Sequence, residues 1–413
     1  MCKEREEMKV LLLTVTAGYG HHATAKALAD MFEQKGAQTK IVDVYEYISK
    51  VVRTSISQGY LLSSKYTPDL YRLFYTQTSK KKAKLNKMNI VKMVNTLGAF
   101  KFEHFVDHFE PDAIVCTHVF AAHLISEMKA RGMVDAPCVG IVTDYCIHPY
   151  WEDVVNMEAL VTASELITHT AVKRGIPKER IHPLGIPIHP KFNKHISREE
   201  ACEQIGLDPK RFTVLVMGGS MGYGNSRKLV KQIARIGIDF QILAVCGNNK
   251  RAYSRLTAFQ EEYTGDCTLH VMGFVDNVEV LMSAADCIIT KPGGLTVSEA
   301  IAKGVPMILI NPIPGQEERN VEFLLNNGMA SLVTKTFPLD DALYHLFHNP
   351  VRLRTVREEI RALGHPDASE KLVEYVFELI EQKEHHIAAC EIEEAPADFP
   401  VNYEQLREEE DKE

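Results

Sequence analysis

The chain has 413 residues, 45% hydrophobic and 25% charged, the balance of a folded globular protein long enough for two domains with separate cores. A formal net charge of -8 argues against general nucleic-acid binding, and no apolar run approaches the roughly 20 residues that a membrane-spanning helix needs. The nine cysteines are scattered with no Cys-x-x-Cys pair, which argues for buried free thiols in a reducing cytoplasm and against a disulfide framework or a zinc site.

Residues 10–15 are apolar but too short for the core of a secretion signal, and the glutamates before them suit one poorly. A first strand is predicted over 8–14, a helix follows to about Lys35, and a second strand covers 38–44, the opening of a βαβ unit. Between strand and helix stands Gly18-Tyr19-Gly20-His21-His22-Ala23-Thr24-Ala25. The two glycines suggest a dinucleotide fingerprint whose third glycine is missing. The histidines are more informative. At a strand-to-helix turn a His side chain points into the crevice above the sheet, and its ordinary pKa near ~6.5 suits proton transfer at neutral pH. The plain alternative is that these residues only cap or pad the helix start.

Residues 45–105 break the βα rhythm. Tyr60, Tyr66, Tyr71, Phe74 and Tyr75 crowd this insertion, and no acidic residue occurs from Tyr71 to Phe102. Lys80, Lys81, Lys82 and Lys84 lead a series of cations that interleaves with Leu85, Met88, Val91 and Leu97 at roughly helical spacing. Such a segment suits a helix lying on an anionic membrane, at about 1 kcal/mol per Lys near the surface. A solvated helix over the core fits as well, and a nucleic-acid patch less so.

Strands are predicted at 113–116 and 137–143, with a helix around 121–131. The second strand ends at Thr143-Asp144, where a carboxylate in the same sheet as His21 is placed to orient the imidazole and stabilise its cation. His148, Tyr150 and Trp151 follow; the tryptophan, the only one in the chain, suits an interface or a sugar face, or plain packing. A strand at 159–162 and a helix over 165–174 complete the domain, and Gly185-Ile186-Pro187-Ile188-His189-Pro190 reads as a linker.

A strand over 212–217 runs into Gly218-Gly219-Ser220-Met221-Gly222-Tyr223-Gly224, whose amides suggest a phosphate cradle, although no Gly-Lys-Ser/Thr follows to make a Walker motif. Strands at 239–245 and 269–272 continue the alternation, and Gly273-Phe274-Val275 precedes a helix around 278–285. Next come a strand at 287–290, the turn Pro292-Gly293-Gly294 and a helix over 295–302. Paired glycines before a helix let the backbone approach a ligand, and the free amides of the first turn favour an anion such as a diphosphate. Glu299, one turn in, is placed to accept hydrogen bonds from ribose hydroxyls; an ordinary βα crossover with tight packing is the alternative. After a strand at 307–310, Gln316, Glu317 and Asn320 lie beside that turn, at the carboxyl ends of parallel strands where α/β folds bind ligands. An amphipathic helix carries Leu372, Val376, Leu379 and Ile380 on one stripe, and an acidic tail expected to be disordered ends the chain.

These separated patterns resemble one family. Gly293-Gly294-Leu295-Thr296-Val297-Ser298-Glu299, Gly304-Val305-Pro306 and the run from Pro312 through Gln316 and Glu317 to Asn320 are similar to the donor signature of nucleotide-sugar glycosyltransferases with two Rossmann-like domains, the GT-B architecture. The branch is that of the lipid II-forming peptidoglycan glycosyltransferase and of the diacylglycerol glycosyltransferases of monogalactosyldiacylglycerol synthase type. Gly18 to Ala25 resembles that family's Gly-Gly-Gly-His-x-Ala-Ser-Ala, with Tyr19 and Thr24 as departures, and Thr143-Asp144 with His148-Pro149-Tyr150-Trp151 resembles the diacylglycerol branch.

The resemblance implies an α/β GT-B fold of two Rossmann-like domains facing a cleft. An acceptor and membrane domain is expected over 1–190, with the insertion at about 45–105, and a UDP-sugar domain over 191–366. A helix over 367–385 should pack back on the first domain, with the tail over 386–413. The implied activity is inverting transfer of glucose or galactose from a UDP-hexose to 1,2-diacylglycerol at the cytoplasmic membrane face, with anionic lipids as partners and no nucleic acid. Transfer to a prenyl-linked or soluble acceptor, or a non-catalytic UDP-sugar sensor, are the alternatives. His21 is then the base, helped by Asp144, while Tyr19, His22, His148, Trp151 and Lys80, Lys81, Lys82 and Lys84 meet acceptor and membrane. Gly218, Gly219, Ser220, Gly293, Gly294 and Thr296 face the diphosphate, Phe274 and Val275 the uracil, and Glu299 the ribose. Gln316 and Glu317 read the sugar hydroxyls, with Asn320 in the same donor site. The chain has no Asp-x-Asp, so no metal or other cofactor is expected, a helix end and amides serving instead.

Overall fold

The computed structural model describes residues 7–15, 19–47, 102–218 and 226–394. The expectations for Lys80, Lys81, Lys82, Lys84, Gly219 and Ser220 lie outside these residues.

Two six-stranded parallel sheets organise the chain. The first has the order β2-β1-β3-β4-β5-β6, with β1 at Lys9–Thr14, β2 at Gln38–Asp43, β3 at Ala113–Cys116, β4 at Cys138–Ile141, β5 at Ala159–Val161 and β6 at Ile181–His182. The second has the order β12-β11-β10-β7-β8-β9, with β7 at Thr213–Met217, β8 at Gln241–Val245, β9 at Thr268–Met272, β10 at Cys287–Thr290, β11 at Met307–Leu309 and β12 at Ala330–Leu332. The inner strands are continuous apolar runs buried along their length, as in β3, β4, β7 and β10. That pattern follows from helices covering both faces of a parallel sheet. In each sheet the winding reverses once, between β1 and β3 and between β7 and β10, and ligands of open α/β sheets bind outside the strand ends at such a reversal.

Five helices frame the site: α1 (Tyr19–Gln34), α2 (Val119–Ala130), α3 (Gly294–Ala302), α4 (Gln316–Asn326) and α5 (Ala368–Glu394). The C-terminal α5 returns to the first sheet. Its Leu372, Val373, Val376 and Ile380 pack with Leu28 and Phe32 of α1 and with Val10 and Leu12 of β1. Lys35 pairs with Glu374 at 2.9 Å, and the Tyr375 hydroxyl lies 3.0 Å from His182 Nε2. At the crossing, Gly185 has φ +95°, and a Cβ there would stand 2.5 Å from His365 Cβ, so only glycine fits. The helix continues to Glu394 rather than ending near 385, because no glycine or proline interrupts the chain from Ala368 until Pro396 and an acidic composition alone does not stop a helix. Among the described residues no helix is long and apolar enough to cross a membrane.

Candidate active site

The two reversals bring the chemistry together. His21, in the first turn of α1, follows β1, and Thr117-His118 follow β3 beside it. His21 Nδ1 lies 2.8 Å from the Thr117 carbonyl oxygen and 3.0 Å from Thr143 Oγ1. A carbonyl only accepts, so Nδ1 carries the proton and Nε2 keeps its lone pair, the tautomer of a base. Burial lowers the His21 pKa from its ordinary value, opposed by the charge of Asp144 and by the Thr117 bond. The ring is therefore neutral at neutral pH. Thr117 and Thr143 orient it, and Asp144 acts on it through charge.

His118, not singled out by the motifs, stands against this base with ring centroids 4.6 Å apart and planes at 83°. Its Nδ1 accepts the Phe120 N–H at 3.1 Å and caps α2, which leaves the proton on Nε2. Burial, then the neighbouring His21, His148 and His123, hold its pKa well below the ordinary value. Its position directly after a strand that pairs with β1 is the signal that would have found it.

The other residues expected on the acceptor side divide. Tyr19 opens α1, and His22 is exposed beside the base. His148 caps the short turn Pro149–Asp153, its Nδ1 accepting the Tyr150 N–H at 3.1 Å. Trp151 is a core residue: it is 5% exposed and lies against β4, where a Cβ on Gly140 would come within 2.9 Å of its ring. Its face is covered and offers nothing to a sugar.

Across the cleft, Gly218 follows β7, and Gly293 with Gly294 follows β10. Thr296 and Glu299 are partly exposed along α3. Burial pushes the Glu299 carboxyl up to about 8; Lys191 opposes the rise and Glu279 adds to it. Among the described residues the Glu299 carboxyl has no hydrogen-bond partner, which leaves its oxygens open to a ligand's hydroxyls. Gln316 opens α4. Glu317 Oε2 accepts the Ile313 N–H at 2.6 Å and sits 3.8 Å from Lys291 Nζ, while Oε1 faces Gly293, and burial raises this pKa too. Phe274 is 65% exposed, whereas Val275 packs against the main core.

Asn320 departs most from expectation. It is fully buried, and its Nδ2 donates to Asp144 Oδ1 at 3.0 Å and to the Pro292 carbonyl at 3.0 Å, while its Oδ1 accepts the Tyr145 N–H at 2.8 Å. One amide hydrogen thus bridges to the first domain and the other is spent on Pro292 within the second, so none is left for a sugar hydroxyl. Around it the Tyr145 hydroxyl meets Ser298 Oγ at 2.9 Å, and the Tyr145 and Phe323 rings pack 5.0 Å apart. A Cβ on Gly20 would stand 3.8 Å from Leu295 Cβ, so the starts of α1 and α3 face each other. A neutral imidazole base on one wall thus opposes a helix amino end on the other, the arrangement needed to deprotonate a nucleophile against an anionic leaving group. Among the described residues no group of three His, Cys, Asp or Glu side chains could hold a metal ion.

Comparison with known proteins agrees with this geometry. The family model for monogalactosyldiacylglycerol (MGDG) synthase matches residues 21–188, and that for the glycosyltransferase family 28 C-terminal domain matches residues 213–372. The chain is 28% identical over 372 residues to a processive diacylglycerol beta-glucosyltransferase of Bacillus pumilus, covering 90% of this chain and 94% of that one. It is 29% identical over 380 residues to the protein of that name from Bacillus thuringiensis, covering 92% and 96%. Among solved structures, MurG of Acinetobacter baumannii aligns with TM-score 0.61 at 16% identity, over 90% of this chain and 99% of that one. Os79 of O. sativa in complex with UDP aligns with TM-score 0.58 at 13% identity, over 90% and 100%. Two sheets with their reversals facing one cleft, and two family models that between them match residues 21–188 and 213–372, make this protein a glycosyltransferase of GT-B fold, similar to the monogalactosyldiacylglycerol synthases and diacylglycerol glucosyltransferases.

Proposed function

We propose that this enzyme moves a hexose from UDP-glucose or UDP-galactose to the free hydroxyl of 1,2-diacylglycerol, acting peripherally at the inner membrane face. The observation that carries the reading is His21, whose Nδ1 proton is committed to the Thr117 carbonyl while Nε2 stays basic opposite the amino end of α3. Nε2 takes the acceptor's hydroxyl proton as that oxygen attacks the anomeric carbon. The bond from that carbon to the diphosphate oxygen breaks, and UDP leaves with the electron pair. One displacement inverts the anomeric centre. The charge developing on UDP is met by the helix end at Gly293 and Gly294, with Gly218 at the neighbouring strand end, so turnover needs no metal. Glu299 accepts the ribose hydroxyls, and Glu317 offers Oε1 to the sugar. The basic stretch at Lys80, Lys81, Lys82 and Lys84 draws the enzyme to anionic lipid.

The acceptor assignment is supported by the names of the Bacillus relatives and by the match of residues 21–188 to the synthase model. Purified enzyme incubated with diacylglycerol vesicles and radiolabelled UDP-glucose or UDP-galactose tests it, with and without EDTA. Labelled glycosyldiacylglycerol is expected from one of the two donors, undiminished by the chelator. Nucleotide binding with no glycolipid product would instead leave a sensor, and product lost on chelation would overturn the metal-free step.

A further inference from the structure

The structure assigns Asn320 a positioning role: it is an interdomain clamp that holds the Asp144 carboxylate beside the base in the closed cleft. The inference rests on the transfer reaction proposed above. Asn320 belongs to α4 in the second domain, and its partners Asp144 and Tyr145 lie at the end of β4 in the first. The carboxamide orientation is forced, since the Tyr145 N–H can only donate to it and the Pro292 carbonyl can only accept from it. The amide hydrogen that remains therefore points at Asp144 Oδ1.

The choice of residue type has a consequence. A lysine or arginine in this place would hold Asp144 equally well but would cancel its charge. A neutral amide fixes the carboxylate and leaves its field acting on His21. The same amide holds Pro292, the residue before the Gly293-Gly294 turn, so one side chain links the carboxylate near the base to the backbone facing the leaving group. When the domains separate, Asn320 departs with the second domain and Asp144 loses this donor. Closure thus completes the base as well as excluding water.

The experiment compares Asn320→Ser, Tyr145→Phe, Asp144→Ala and the double variant Asn320→Ser/Asp144→Ala. UDP binding is followed by calorimetry, and turnover with UDP-hexose and diacylglycerol vesicles. Asn320→Ser should keep UDP affinity and donor KM within about threefold and lose roughly 30-fold or more in kcat. Tyr145→Phe removes the separate bridge to Ser298 without touching the Asp144 side chain and should cost only a few-fold. The double variant should be no slower than Asp144→Ala alone, the signature of two residues acting in series. Should Asn320→Ser unfold, as loss of the cooperative melting transition in a calorimetric scan would report, Asn320→Asp assayed near pH 6 keeps the side-chain shape and is read the same way. Tenfold weaker UDP binding with unchanged kcat in a folded variant would make Asn320 a donor ligand and overturn the assignment, as would additive losses in the double variant. A wild-type enzyme that forms no glycolipid overturns the transfer reading itself and with it this assignment; an active wild type with either of the other results overturns the assignment alone.

Discussion

A methyl group placed on Gly294 would stand 2.0 Å from the carbonyl oxygen of Thr143, far inside contact distance. The Gly293-Gly294 turn is therefore pressed directly on the strand end that carries Asp144, and the glycine is required for the meeting of two domains. Gly294→Ala is expected to hold the cleft open. The second domain should still bind UDP, kcat/KM should fall at least ~100-fold, and small-angle scattering should report a larger radius of gyration than wild type under the same conditions. Unchanged turnover would mean that the contact is dispensable.

His21→Ala removes the imidazole whose Nδ1–H donates to the Thr117 carbonyl at the mouth of the first sheet. Turnover should drop by at least ~100-fold with UDP affinity nearly intact, since general bases contribute about that much. Calorimetry and a product assay on one preparation separate the two quantities.

The pH profile should follow from the forces on the same ring. A base works unprotonated, so kcat/KM rises with pH through the His21 pKa, which burial places below the ordinary 6.5. The charge of Asp144 raises that pKa, and His118, held neutral, adds no opposing charge. Asp144→Asn should accordingly move the acid limb to still lower pH and reduce the plateau by about tenfold through a weaker base. A limb shifted upward would reverse the assigned sign.

Glu299 gives a stability test. Its carboxyl titrates at about 8 in the fold against an ordinary 4.5, so stability from this group is present below the ordinary value and is lost as pH rises toward 8. Glu299→Gln should melt higher than wild type at pH 8.5 and no higher at pH 5, by calorimetric scans without ligand. The same variant should bind UDP roughly 2- to 10-fold more weakly at pH 7, where the raised carboxyl is mostly neutral, the scale of a lost uncharged hydrogen bond. Tight UDP binding by the variant would remove Glu299 from the ribose.

His118 serves two neighbours that substitution can tell apart. His118→Asn keeps an acceptor for the Phe120 N–H and loses the ring against His21, so melting should hold while turnover falls several-fold. His118→Phe keeps a ring and loses the cap, at about 1 kcal/mol of stability. Equal turnover in both would show that the ring contact does not matter.

Much of the fold was legible because apolar runs of strand length alternate with helix formers, and both glycine turns announce themselves where the winding reverses. His21 and the Gly293-Gly294 turn stand out in the sequence for that reason, and the fold places both at strand ends beside the reversals. The bridging bonds of Asn320 are not legible, because a buried bridging asparagine and a ligand-binding one are the same letter in the same motif, and its partner Tyr145 lies 175 positions away. Trp151 shows the same blindness: an aromatic after a strand suits a sugar or a core, and only the packing of its ring on Gly140 decides. His118 carried no motif, and only the adjacency of β3 to β1 reveals it.

The crossing of Gly185 with His365 has a mechanical meaning. The polypeptide passes between the halves twice, once outward through Gly185 and once homeward into α5, and the two passages touch. Two tethers meeting at one spot make a pivot, so the halves can swing about it but cannot drift apart or twist freely. Any cleft motion is therefore steered by a joint lying outside the reaction centre, and a chain cut before residue 366 would keep its chemistry groups yet lose the bearing that aims them.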